Sequence, residues 1–238
     1  MMRLARAIAL AGITSRRKAE EMIRDGDVRV NGDVVTNVAT NVEPATDEIK
    51  VGGERIRGER KNYLVLNKPR GVISTVSDPQ GRKTVLAYIP HKLRGRFYPV
   101  GRLDRDSSGL MLLTNDGDLA FRLMHPKFHV AKLYHLKLDK PLKEEDRLRL
   151  ERGVFIEGGR TAPCKIRTRP NSIHTEVELF EGRKHQIRLM FFRRGYDVKR
   201  LERVSMGPIT LKGLRPGAVR ILTEDEIHIL KKAVGLVE

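Results

Sequence analysis

Between two regularly patterned stretches, residues Ile56 to Asn62 read IRGERKN, a run that is charged and nearly free of apolar side chains. It is the best linker in the chain and divides it near Arg60 into a module of residues 1–60 and a larger body of residues 61–238. The length of 238 residues suits that division, at about 150 residues for an average domain. With 39% hydrophobic residues the chain can bury a core.

In the first body, apolar and basic residues alternate at helical spacing over residues 3–24. Leu4, Ile8 and Ala11 share a face, Ile13, Ala19, Met22 and Ile23 follow, and Gly12 interrupts. Two short helices are expected. Thr14 or Ser15 caps the second, and Asp25-Gly26 ends it. The first turn of that helix carries Arg16, Arg17 and Lys18, and cations there oppose the helix dipole. A phosphate backbone would explain them, and so would a solvated basic face. VRVNGDVV then alternates around Asn31-Gly32, the signal for a type I′ hairpin turn. The module reads as helix, helix, hairpin.

Strand patterns dominate the second body. YLVLNKPRGVIS reads as a buried strand, a Pro-Gly turn and a second strand, and FYPVGRLD as a strand entering a polar loop. LMLLTNDGDLAFRLMHP predicts an apolar strand, a turn, and a short helix capped by Asp118 and stopped at His125-Pro126. KLYHLKL, PCKIRTR and HTEVELFEG read as further strands, HQIRLMFFRRG as a helix ending at Gly195, and TEDEIHILKKAVG as a capped helix. The class is α+β.

Charge narrows the partners. Lys and Arg number 47 against 30 Asp and Glu, a net charge of +17, so nucleic acid is the first partner to consider. No segment approaches the ~20 apolar residues of a membrane span, and the N-terminus is too charged for a signal peptide, so no membrane is expected and the cytoplasm is the expected compartment. Cys164 is the single cysteine, which leaves no internal disulfide and no thiolate metal cage. Absence of Trp and 5% aromatic content argue against a carbohydrate cleft. His125 and His129 are four apart, but Pro126 breaks the helix that would align them on a metal, and no metal site is expected.

Two clusters could carry chemistry. In GRLDRDSSGL, Asp104 and Asp106 stand with Arg102, Arg105, Ser107 and Ser108 ahead of an apolar strand, a setting that suits an active site but is also the composition of a surface turn. In EGRKHQIRLMF, Arg183, Lys184 and His185 open a helix, and Arg188 falls where it could pair with a carboxylate and hold it ionised.

These segments, in this order, resemble the motifs of pseudouridine synthases. GRLDRDSSGL is similar to the GRLDxxTSGL signature, KLYHL from Lys132 to Leu136 to the K-x-Y motif, and EGRKHQIRLM to the third motif. Together with the NKPRGV strand-turn of Asn67 to Val72 and the C-terminal MGPITLKGLRPGAVRILTEDE, they identify the whole chain as similar to RsuA/RluB-type bacterial ribosomal RNA pseudouridine synthases. Ser107 stands where that family usually has Thr, and His185 and Leu189 bring the third motif nearer the RluA branch.

The resemblance implies an S4-like RNA-binding domain followed by a synthase domain on a large mixed, mostly antiparallel sheet with flanking helices. It makes Asp104 the aspartate that attacks the ribose of a flipped uridine, Arg188 its ion-pair partner, and Tyr134 the ring that stacks on the uracil. Arg102 would fill the place the base leaves. Ser107, Leu201 and Arg203 would form the active-site wall, and Arg3, Arg6, Arg16, Arg17, Lys18, Lys68, Arg70, Lys184 and His185 would contact RNA. No cofactor is implied, because isomerisation oxidises and consumes nothing. The expected substrate is ribosomal RNA, more specifically that of the large subunit, structured but locally unpaired at the target, and the enzyme is expected to act as a monomer. A metal-dependent nuclease using Asp104, Asp106, Asp116 and Asp118, or a non-catalytic RNA-binding or ribosome-assembly protein, are the alternatives that the motif order disfavours.

Overall fold

The computed structural model describes residues 1–93 and 96–237. It comprises two compact units, Met1–Asn62 and Tyr63–Glu238.

In the smaller unit, β1 (Met2–Arg3) leads into α1 (Leu4–Leu10) and α2 (Arg16–Arg24), followed by β2 (Val28–Val30), β3 (Asp33–Val34), β4 (Asn41–Val42), β5 (Ile49–Val51) and β6 (Glu54–Arg55). Ser15 is the cap of α2: its hydroxyl accepts from the Lys18 amide at 3.2 Å. Asn31 (φ 53°) and Gly32 (φ 98°) both take the left-handed conformation that a type I′ turn requires between β2 and β3. The antiparallel sheet runs β3-β2-β5-β6, and β1 pairs separately with β4. Leu4, Ile8, Ala19 and Ile23 from the helices close on Val28, Ile49 and Val51 from the strands, so the module has its own core.

The larger unit contains β7 (Tyr63–Lys68), β8 (Tyr98–Pro99), β9 (Ser108–Thr114), α3 (Gly117–Met124), β10 (Lys132–Leu138), α4 (Glu144–Glu151), β11 (Phe155–Ile156), β12 (Gly159–Arg160), β13 (Lys165–Thr168), β14 (His174–Leu179), α5 (Gln186–Phe192), β15 (Val198–Met206), β16 (Ile209–Thr210), β17 (Val219–Ile221) and α6 (Glu224–Lys232). Its sheet runs β13-β14-β10-β15-β9-β7-β17, with β8 on β9 and β16 on β15. The β15–β9 contact is parallel and the other pairs are antiparallel, so the sheet is mixed and mostly antiparallel.

Alternation along β7 serves two cores. Leu64 and Leu66 join Met111, Tyr134, Leu136, Ile187 and Phe191 on one face. Tyr63 and Val65 join Leu110, Leu112, Leu119, Ile227 and Leu230 on the other. Covered on both faces, β7 and β9 read as continuous apolar runs.

Two local expectations are corrected, and one strand goes unread in the sequence. The return strand expected after NKPRG is absent: past Gly71 the chain makes one isolated bridge, Ile73 to Thr84. Both edges of β7 are already bonded to β9 and β17, which leaves no edge for a neighbour to return to. The cap of α3 is Asp116 rather than Asp118; its carboxylate accepts from the Leu119 amide at 3.2 Å and from the Tyr63 hydroxyl at 2.8 Å. The strand β15, nine residues long and central in the sheet, carries too many charges to show in the pattern.

Candidate active site

β7 ends by carrying Lys68 beneath the loop of residues 101–107. The Lys68 ammonium is fully buried and donates to the carbonyls of Pro69 (3.1 Å), Asp104 (3.1 Å) and Ser107 (2.7 Å). Gly71 N–H donates to Arg105 O at 2.8 Å, and the Ser74 hydroxyl donates to Leu103 O at 2.7 Å while accepting from Leu103 N–H at 3.1 Å. The Ser107 amide closes the loop on Asp104 O at 3.0 Å. The backbone around Asp104 is thus fixed from the two segments beside it, which is what a positioned catalytic side chain needs.

β9 follows without a break and imposes a close approach. Gly109 (φ 108°) lies against β15 so tightly that a Cβ would fall 2.2 Å from Arg203 O. Arg203 is itself buried, and its Nε donates to Leu110 O at 2.8 Å. From β10, Lys132 and Tyr134 face the same interior as Leu136; the Lys132 ammonium donates to Val130 O at 3.2 Å. Burial pushes Lys68 and Lys132 each down to about 8; for Lys68 the nearby Asp104 and Asp106 oppose that shift, and for Lys132 the neighbouring Arg203 adds to it.

Asp104, Ser107, Lys132, Tyr134 and Arg203 line a cleft of about 420 Å³ together with Arg102, Leu201, Ile187, Lys184 and His185. Three buried cations lie at its wall or beneath its loop, each bonded to backbone carbonyls, and Asp104 brings a partly exposed carboxylate to it. The Ser107 hydroxyl is buried in the cleft wall without a hydrogen-bond partner.

The structure gathers Asp104, Arg102, Ser107, Tyr134, Leu201, Arg203, Lys184 and His185 as the sequence suggested, and revises two roles. Arg188 is not the partner of Asp104: its guanidinium donates to Val198 O at 2.6 Å, and it does not line the cleft. Asp104 Oδ1 instead faces His185 Nε2 at 3.4 Å. His185, at φ 52° just ahead of α5, stands at the cleft, whereas Arg188 further along that helix is directed to the start of β15. Lys68 is not an RNA contact, because a fully buried ammonium cannot reach a phosphate; Arg70, after it in the turn, is exposed. The sequence places Lys132 in the K-x-Y motif without giving it a role; a lysine in phase with the inward Tyr134 and Leu136 of an alternating strand is the signal that it is buried.

In the smaller unit, Arg17 and Lys18 are exposed on the first turn of α2, and Arg16 pairs with Glu20 at 3.8 Å. Arg3 donates to the Ala39 carbonyl, and Arg6 is half-buried on α1. Asp116, buried in its cap, is not free to join Asp104 as a ligand. Among the described residues no group of three or more His, Cys, Asp or Glu could hold a metal ion, and no helix is long and apolar enough to cross a membrane.

Residues 62–192 match the family model described as RNA pseudouridylate synthase. The chain belongs to that family. Residues 2–49 of the synthase match the S4 domain, so the helix-helix-hairpin unit is an S4 domain. The synthase is 42% identical to the ribosomal large subunit pseudouridine synthase B of Bacillus subtilis, over 97% of this chain and 96% of the relative. It is 39% identical to an uncharacterized RNA pseudouridine synthase of Aquifex aeolicus, over 99% and 96%. A crystal structure of a pseudouridylate synthase superposes with a TM-score of 0.71 at 31% identity, covering 97% of this chain and all of that one. The RsuA/RluB type and the α+β fold with an N-terminal S4 domain follow from these likenesses.

Proposed function

We propose that this synthase isomerises a uridine of large-subunit ribosomal RNA to pseudouridine, with Asp104 as the residue that acts on the ribose. The observation that carries the reading is the Asp104 loop, its backbone pinned by Lys68, Gly71 and Ser74 and its carboxylate held at a cleft with Tyr134, Arg102 and Arg203. Identity to a large-subunit enzyme over nearly the full length supports the substrate.

The reaction breaks the N1–C1′ bond, turns the uracil and joins C5 to C1′; the C5 proton departs and N1 regains one, so atoms balance with no added reagent. A single carboxylate suffices at the sugar, either adding to C1′ or taking the C2′ proton. The base must leave its stack, which costs a few kcal/mol and least in loops and bulges. In this reading Tyr134 stacks on the flipped uracil, Arg102 enters the vacated place, and Leu201 with Arg203 closes the wall. Arg16, Arg17 and Lys18 of the S4 domain, with Arg70 and Lys184, meet phosphates.

The test is to map pseudouridines in ribosomal RNA from cells with and without the protein, and to restore the missing one in vitro with purified enzyme. Loss and restoration of a single large-subunit site is expected. An unchanged pseudouridine map, with no turnover on unmodified ribosomal RNA, would leave an RNA-binding protein without this activity.

A further inference from the structure

The core on the α3 and α6 side of the sheet takes no residue from β10, β13 or β14. That leaves the same face of these strands to solvent, the face opposite Tyr134 and Leu136. Strand register sorts its side chains into rows. One row reads Arg167, Glu176, His135, Glu202, so that each carboxylate faces a basic side chain; His135 Nε2 lies 3.4 Å from Glu176 Oε1. On one side of it, Lys165 opposes Glu178 and pairs with it at 3.0 Å.

The row at the other end breaks this rule. His174, Lys137 and Arg200 stand directly opposite one another on β14, β10 and β15, all exposed, and none has an ion-pair partner among the described residues. Directly opposed like charges destabilise a sheet, and the neighbouring rows show that carboxylates fit this face. Beside this row the surface is concave: Arg167, Arg169, His135, His174 and Glu176 line a depression of about 530 Å³, and His174 joins it to the row. Stability does not account for Lys137 set opposite Arg200 beside a hollow edged by Arg167 and Arg169, whereas a polyanion does.

We propose that this end of the sheet face is a second RNA-binding surface, outside the catalytic cleft, on which Lys137, Arg200, Arg167 and Arg169 take the phosphodiester backbone of the substrate RNA beyond its target loop. It rests on the reading of the substrate as a folded RNA, and it extends the footprint from the cleft and S4 domain to the outer strands. Phosphate contacts carry no sequence information, so the surface adds affinity and fixes orientation while the cleft selects the nucleotide.

The experiment compares the full-length protein with the triple variant K137Q/R167Q/R200Q in binding to a labelled RNA hairpin with an unpaired uridine in its loop and a stem of two helical turns. A control of equal charge change, R82Q/R149Q/K199Q, removes cations already paired with Asp78, Glu145 and Asp197. The triple variant should lower the slope of log affinity against log salt by roughly 2 and weaken binding at least about tenfold, at 0.7–0.9 per phosphate engaged, and the control should leave the slope unchanged. The melting temperature of the triple variant should stay near wild type, since K137Q and R200Q remove like charges from opposed positions while R167Q removes a charge that faces Glu176. An unchanged slope, or an equal fall in the control, overturns the proposal. Loss of binding to phosphatidylglycerol vesicles with the RNA slope intact would assign the surface to a lipid and overturn it too. A wild type that shows the slope difference yet isomerises no uridine would sink the catalytic reading and leave this one standing.

Discussion

Replacing Lys68 by Met removes a buried ammonium at nearly constant volume and tests whether the Asp104 loop depends on it. The three carbonyls it serves, of Pro69, Asp104 and Ser107, lie at 2.7–3.1 Å. Asp104 O keeps the Ser107 amide as a donor, so the carbonyls of Pro69 and Ser107 are the two that lose theirs, at roughly 1.5 kcal/mol each; relief from burying a cation returns part of the total, and a net loss of about 2 kcal/mol is expected. In a chain of this size that is a fall of roughly 4–8 °C in melting temperature. The effect on turnover should be larger, because a displacement of about 1 Å in a reacting group costs ~10²-fold.

Turnover is read as tritium released from RNA carrying 5-tritiated uridine, and folding by circular dichroism. The pH dependence adds a second signature. Burial lowers Lys68 from 10.5 to about 8, below its unfolded value, so the cost of burying the cation is present in full below pH 8 and is relieved as pH rises towards 10.5. Stability should therefore rise across that window. Activity should fall across it, since a neutral amine has two hydrogens for three carbonyls. In Lys68→Met the rise in stability should shrink to less than half: Lys132, also lowered to about 8, still supplies its share, while the Cys164 thiol and the Tyr63 hydroxyl, both raised by burial, oppose it above pH 9. A folded Lys68→Met protein that keeps more than about a tenth of wild-type turnover would refute the reasoning.

Asp104→Asn should abolish turnover while leaving RNA binding nearly intact, and Asp106→Ala, a change at an exposed side chain of the same loop, should be mild; rates measured side by side check the contrast, with at least ~10²-fold separating them. Gly109→Ala drives a Cβ into the Arg203 backbone at a positive φ, which should cost about 3 kcal/mol or more and show as a melting temperature at least ~6 °C lower. Deleting residues 1–62 should leave a folded synthase unit, because each unit has its own core. It should bind RNA more weakly, and a salt titration should show a slope smaller by roughly 0.7–0.9 for each phosphate that the S4 domain neutralises in the intact protein.

The sequence alone determined whatever depends on near neighbours. Ser15 caps α2 and Asn31-Gly32 turns the hairpin because both effects act across two or three residues. The break before Tyr63 shows as a run without apolar residues, and the polar loop around Asp104 beside an apolar strand was legible as a site. The tertiary structure decided what depends on distant partners. β15 reads as a charged stretch because Lys199, Arg200, Glu202 and Arg203 crowd it, and its central place comes from pairing with β10 and β9. Arg188 has the right spacing for an ion pair and is turned instead to Val198. Lys68 looks like a surface cation in NKPRGV, yet two of its three acceptors lie 36 and 39 residues away in the chain. A charge can be buried only where the fold brings acceptors to it, and no local pattern records where those acceptors will be.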